Sequence, residues 1–255
     1  MTDKDAILAQ FFEQQEPKPH DAIFVAAALT RAQGRQNAHT LLFWLGVGSL
    51  VAMVLALAGP RGLAVPAYLA LGVQHILTGV DHLMFVLGLL LLIGPTWQLV
   101  KTVSAFTVAH SLTLALAALG FLHFPSAVIE ALVALSIVFV ACELVRPADA
   151  PPTLTRRRPW LIAFIFGLLH GLAFAGALAE VGLPGGAAPQ ALFLFNVGVE
   201  IGQLLFIGAA LAAIAGLRAL GRALKFDAPA FARVAPAYVI GGSAAAWLIE
   251  RVFAV

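Results

Sequence analysis

The chain has 255 residues, of which 61% are hydrophobic and 11% charged, with a formal net charge of +2 and one cysteine. Soluble domains carry about 25% charged residues, so this composition excludes a water-soluble globule, and so small a net charge gives nucleic acid no footing. The lone Cys142 excludes an internal disulfide and a cysteine metal cluster.

The apolar runs are about twenty residues long rather than ten, which predicts an all-α polytopic membrane helix bundle rather than a barrel. Residues 1–5 do not begin a basic region followed by an apolar core, so no signal peptide is expected. Residues 1–40 form a polar segment of their own, ahead of a membrane domain over 41–255. In that segment Ile7, Leu8, Phe11 and Phe12 share one face of a short helix, which Pro17 and Pro19 break. A second short helix runs from Asp21, as N-cap, to Arg31. Such a pair suits a cytoplasmic segment lying on the bilayer surface or docking a soluble protein partner.

Seven apolar runs follow, near 41–59, 66–94, 99–120, 125–145, 159–180, 189–215 and 234–254. Turn-forming stretches rich in Pro and Gly separate them. The second and sixth exceed what a bilayer needs, so they tilt, break or project beyond the headgroups. With seven transmembrane helices, the N-terminal segment and the loops after spans two, four and six share one side. Thirteen Lys and Arg residues fall there, against only Arg61 and Arg251 on the other. The positive-inside rule then puts the N-terminus in the cytoplasm and the C-terminus outside, in a plasma membrane of bacterial inner-membrane type.

Ionisable side chains at membrane depth cost at least a few kcal/mol by insertion scales, and this chain holds a set of them. Span two carries His75, Asp81 and His82. Seven residues of straight helix would hold the two histidines about 10.5 Å apart along the axis. Either the helix breaks at Gly79, or the two serve neighbouring sites. Asp81 would orient a histidine through its ring N–H, and Gly72 and Gly88 would let helices approach closely.

Span three presents Ser104, Thr107, His110 and Ser111 as a polar stripe. Ser104 and Thr107 are expected to bond the carbonyl one turn back; His110 has no such outlet. Span four brings Glu130, as entrance guard or solvated boundary residue, and Glu143, which snorkels or pairs with Arg146. Span five centres on His170 with glycines close by. Span six aligns Asn196, Glu200 and Gln203 on one face. With alternating span directions, His82, His110, His170 and Glu200 come out near one level at mid-bilayer, with His75 toward the outside. His20, His39 and His123 are given no role.

Imidazoles with one or two carboxylates, and no thiolate, suit a divalent first-row ion such as Ni, Co, Zn, Cu or Fe rather than Cu(I). The predicted metal residues are His75, Asp81, His82, His110, His170 and Glu200, supported by Asn196, Gln203, Glu130 and Thr107.

The same residues carry a family resemblance. His75-x5-Asp81-His82, Phe106-Thr107-x2-His110-Ser111-Leu112-Thr113-Leu114, His170-Gly171-x2-Phe174-Ala175 and Phe195-Asn196-x-Gly198-Val199-Glu200-x-Gly202-Gln203 together resemble the HupE/UreJ family of hydrogenase and urease accessory membrane proteins, over roughly residues 65–210. Ile76 stands where the better-known branch has a proline, which resembles the HupE/UreJ-like sibling branch. The resemblance implies nickel or cobalt handling.

The leading expectation is therefore a divalent-metal permease or metal-delivery protein, with Glu130 and His75 receiving the ion from outside. No Gly-x4-Gly-Lys-Ser/Thr motif is present for ATP. The alternative is an intramembrane zinc hydrolase acting on a lipid or membrane-embedded substrate. Glu200 would be its general base and Ser111 would polarise the substrate. In its favour, polar residues thin out toward the cytoplasmic half of spans five and six, which leaves no exit path there. A haem-binding sensor has no attachment signature to support it.

Overall fold

The computed structural model describes residues 65–147, 149–181, 188–225, 231 and 234–253. The amphipathic pair, the first apolar run and the Gly182–Gly186 turn lie outside the described residues. Among the described residues every regular element is a helix: α1 Val65–Thr78, α2 Val80–Ile93, α3 Trp97–Ala118, α4 Ser126–Val145, α5 Leu154–Arg157, α6 Pro159–Val181, α7 Ala188–Ala223 and α8 Ala235–Phe253.

The second apolar run is broken, as one of the sequence alternatives had it. α1 and α2 meet at Gly79 with a bend of 73°. Buried backbone groups exposed by a break need new partners, and local residues provide them. The Gly79 N–H donates to the His75 carbonyl at 2.9 Å, and its own carbonyl accepts from Leu83 at 3.0 Å. The Asp81 carboxylate accepts the His82 backbone N–H at 2.8 Å, which satisfies a first-turn donor of α2 where a negative charge also suits the helix dipole.

Elsewhere the helix ends follow ordinary chemistry. Pro159 opens α6, where its missing N–H is no loss. Gly94 and Gly120 take φ of 77° and 81° just past α2 and α3, the left-handed stop that glycine favours. α7 is longer than the sequence implies: its 36 residues continue to Ala223 rather than stopping near 215, and span about 54 Å. The run of Ala and Leu around Arg218 is good helix-forming sequence, so loss of hydrophobicity there marks the end of the apolar region and not of the helix. The four-residue α5, capped by Thr153, whose Oγ1 accepts from the Arg156 N–H, has no counterpart among the predicted runs.

α3, α4 and α7 are each long and apolar enough to cross a bilayer, and α1 with α2 would make a fourth such span. The surface agrees with lipid. On α3, Val108 is 59% exposed while His110, two residues on, is 0% exposed. Polar side chains face inward and apolar ones outward, the reverse of a soluble helix.

Three helix pairs dominate the packing: α3 with α6, α1 with α7, and α4 with α8. The first two depend on glycine. A Cβ at Gly72 would strike the Phe195 carbonyl oxygen, and one at Gly198 the Leu69 carbonyl oxygen. Here α1 and α7 touch backbone to backbone, the close approach small residues allow in membranes. Gly167 and Gly171 do the same for α6 against the carbonyls of Phe106 and His110 on α3.

Two apolar clusters result. The larger includes Phe85, Leu89, Val103, Phe106, Ile137 and Val140, with Phe166 beside it. The smaller includes Ile76, Leu114, Leu192, Phe195 and Val199, with Phe174 beside it. On α3, His110 lies between Phe106 and Leu114; on α6, His170 lies between Phe166 and Phe174. The polar residues form a layer between two greasy ones.

Candidate metal centre

Four helices deliver one histidine each to that layer: His75 from the last turn of α1, His82 from the first turns of α2, His110 from α3 and His170 from α6. The break at Gly79 brings the first two together. Their ring centroids stand 4.7 Å apart, where an unbroken helix would have held the residues about two turns apart. His110 is 5.9 Å from each of them, and His170 is 5.0 Å from His82. His75, His82 and His110 each offer a ligand atom, all within 4.8 Å of one another.

The free nitrogens are those a cation would use. His82 Nδ1 faces Asp81 Oδ1 at 3.0 Å, so Nδ1 carries the proton and Nε2 keeps its lone pair. His110 Nδ1 faces Asn196 Oδ1 at 3.3 Å. The Asn196 amide nitrogen is itself committed to the Leu192 carbonyl at 2.8 Å, which fixes Oδ1 as the end turned toward His110. Among the described residues, the Nε2 atoms of His75, His82 and His110 are buried without a hydrogen-bond partner. Buried polar atoms are nearly always satisfied, so three such lone pairs in one place are a donor set that could take a cation. Metal–nitrogen bonds of about 2.0–2.1 Å put the nitrogens sharing an ion about 3.3 Å apart. Nitrogens as much as 4.8 Å apart would have to draw in by up to about 1.5 Å, and the donor types suit such an ion.

His170 is oriented by a polar residue of span four, Ser136, to which the sequence alone assigned no role. Ser136 Oγ donates to the Val133 carbonyl at 2.6 Å, which uses its proton. Toward His170 Nε2, at 3.1 Å, the hydroxyl can then only accept. His170 is therefore protonated at Nε2, and its unpartnered buried atom is Nδ1. Nothing in the sequence tied Ser136 to His170, 34 residues away on another helix.

Aromatic rings close the layer. Phe174 packs on His75 with centroids 3.9 Å apart and stacks on Phe195 at 5.2 Å. Phe106 lies edge-on to His170 at 5.0 Å, and Phe85 is 5.3 Å from the same ring. These phenylalanines read as ordinary apolar positions in the sequence; only their place in the shared motifs singled out three of them.

The remaining predicted residues fall in three places. Glu200 is not among the three groups that converge. It accepts from Ser104 Oγ at 2.6 Å through Oε1, while Oε2 is buried and unpartnered. Gln203 Oε1 accepts from Thr107 Oγ1 at 2.8 Å. The expectation that Ser104 and Thr107 bond the preceding turn is corrected for Ser104 and holds in part for Thr107, whose Oγ1 also bonds the Val103 carbonyl at 3.3 Å; both reach across to α7. Ser111 bonds back as well, to the Thr107 carbonyl at 2.6 Å.

Glu130 is ion-paired to Arg251 on α8, at 3.5 Å and partly exposed, and is not brought to the histidines. The expected pairing of Glu143 with Arg146 is also replaced. Its carboxylate accepts from Thr153 Oγ1 at 2.8 Å, and the Arg156 guanidinium reaches the carbonyls of Glu143 and Arg146 instead. The short α5 places Thr153 and Arg156 there, and α5 was invisible to the pattern of apolar runs.

No curated protein and no solved structure matches the chain. Residues 52–251 match the family model described as HupE / UreJ protein. That match includes every side chain of the histidine layer and every described helix but for the last two residues of α8, and the chain belongs to the HupE/UreJ family.

Proposed function

We propose that this protein is an integral membrane carrier or delivery protein for a divalent transition metal, nickel or cobalt first, and that His75, His82 and His110 hold the ion. The observation that carries the reading is three imidazoles from three helices, two buried and one half-buried, each with a buried ring nitrogen that no described residue satisfies. The His170 ring lies 5.0 Å from that of His82, outside the three that converge. Asp81 and Asn196 hold two of the rings in the tautomer that presents Nε2, the usual role of outer partners in metal sites. Family membership supports the metal class, and the nitrogen-rich, thiolate-free donor set supports a borderline ion over Cu(I) or a hard cation.

In this reading the chain makes seven spans, with the N-terminus cytoplasmic and the C-terminus outside, in a bacterial-type inner membrane. Residues 1–40 would face soluble partners. The ion is cargo. His75, at the α1 end of the break, receives it, and the collar of phenylalanines keeps bulk water out while it is held. Binding needs neutral imidazoles, so affinity falls as the medium is acidified.

The test is metal analysis of purified protein loaded with Ni²⁺ or Co²⁺. Wild type retains about one tightly held ion per chain, and the His82→Ala, His110→Ala double variant retains none. Equal retention by both would overturn the reading. The hydrolase alternative keeps one specific support: three convergent histidines match the three protein ligands of a catalytic zinc set. Ser111, its candidate for polarising a substrate, is committed to the Thr107 carbonyl. Release of product from membrane lipids that depends on Glu200 would favour that alternative.

A further inference from the structure

The α3–α7 seam contains a second cluster of polar groups. Going toward the N-terminus of α3 and the C-terminus of α7, the His110–Asn196 contact is followed by Ser104 with Glu200 and Thr107 with Gln203. Gln203 is 0% exposed, yet among the described residues its Nε2 has no partner, and one turn away on the same helix Glu200 Oε2 has none either. Two orphaned polar atoms that close in a buried seam leave the network open at that point. The Gln203 amide can also turn over. Its Nε2 would then donate to Thr107 Oγ1, the Thr107 proton would stay on the Val103 carbonyl, and Oε1 would face the seam. The seam can thus present a carboxylate, an amide oxygen and the hydroxyl oxygens of Ser104 and Thr107.

We propose that Glu200, Gln203, Ser104 and Thr107 form a second cation station, built of oxygen donors, on the cytoplasmic side of the three-histidine site. It accepts the divalent ion as it leaves the imidazoles. This rests on the metal-carrier reading and on its orientation. Oxygen donors hold nickel and cobalt less tightly than imidazoles do. A path needs such a gradient, since a site must bind well enough to be entered and weakly enough to be left. The station also provides an inward route along the face that span six shares with span three, where spans five and six offer none between them.

Equilibrium dialysis with Co²⁺ alone, followed by uptake of Co²⁺ into proteoliposomes holding a metal-quenched dye, tests this. Wild type should bind one ion tightly and a second about 100-fold more weakly. Glu200→Gln and, separately, Gln203→Leu should abolish the weak ion, leave the tight ion's visible absorption spectrum unchanged, and slow uptake about tenfold. A wild type with a tight ion and no second one overturns the station, whatever the variants do. So does loss of the tight ion in Glu200→Gln with the protein still folded, since Glu200 would then belong to the histidine site. A wild type that binds no ion at all instead overturns the carrier reading, and the station with it.

Discussion

α1 with α2, and α7, are made of similar apolar sequence and do opposite things. The first is two helices of 14 residues at a 73° bend; the second runs unbroken for 36 residues. The bend gathers His75 and His82, seven residues apart in sequence, to one point. The unbroken helix distributes Asn196, Glu200 and Gln203 along a line, each matched to a partner on α3. The two elements touch at Gly72 and Gly198, so convergence and distribution are built side by side. What separates them is a single position. Gly79 is the residue at which the helix turns, and α7 has glycines of its own, Gly198 and Gly202, that do not break it. A glycine permits a bend; the Asp81 carboxylate, taking up a backbone donor at the start of α2, helps hold it.

The comparison breaks most completely if the gathered histidines do not act as one site. Replacing His110 by Ala is expected to reduce Ni²⁺ or Co²⁺ affinity by about 100-fold or more, because one of few nitrogen ligands is removed; isothermal titration of the purified protein measures it. Equal affinity would separate the bend from metal binding.

Next comes the bend itself. A Cβ at Gly79 would sit 2.9 Å from His82 Nδ1 and 3.2 Å from Asp81 Oδ1. Gly79→Ala therefore pushes directly on the pair that orients His82. The expected loss of affinity is about 10- to 100-fold with helix content unchanged, read by titration alongside circular dichroism. Asp81→Asn, which keeps the shape and weakens the acceptor, should lose about tenfold.

The contact between the two elements is a question of stability. Gly198→Ala places a methyl against the Leu69 carbonyl oxygen and the Gly72 Cα, neither of which can fold away. Overpacking of this kind costs about 1–3 kcal/mol and should lower the thermal midpoint in detergent. The smallest effect is expected at the rim. Arg251→Ala removes the partly exposed partner of Glu130 and should shift stability by about 0–1 kcal/mol, with metal affinity unchanged. A large loss of affinity there would restore Glu130 to the ion's path.

The helical bundle and its inward-facing histidines were legible in the sequence, because lipid makes the cost of a buried imidazole visible against its neighbours. His75, His82 and His110 stood out for that reason, and turn chemistry marked the six described runs. Three things were not legible. Ser104 and Thr107 have hydroxyls that a helix can satisfy locally, so nothing in the sequence says that they also reach α7. Ser136 acts on His170 only through a contact between helices. The last turns of α7, beyond the apolar run, depend on helix propensity that a hydropathy reading does not weigh. Glu200 shows the intermediate case. Its depth marked it as functional, and its position relative to the imidazoles needed the packing of α3 on α7.

The phenylalanine collar bears on which ion the proposed site would hold. Phe174 lies against His75, and Phe85 and Phe106 against His170, so carbon rather than oxygen borders much of the nitrogen set. On the carrier reading, an aquated ion would find few groups there to take over the hydrogen bonds of its water shell. The imidazole nitrogens alone would have to make up for the water it leaves behind. A hard ion such as magnesium, which binds oxygen and keeps its waters, would gain too little from nitrogen to enter.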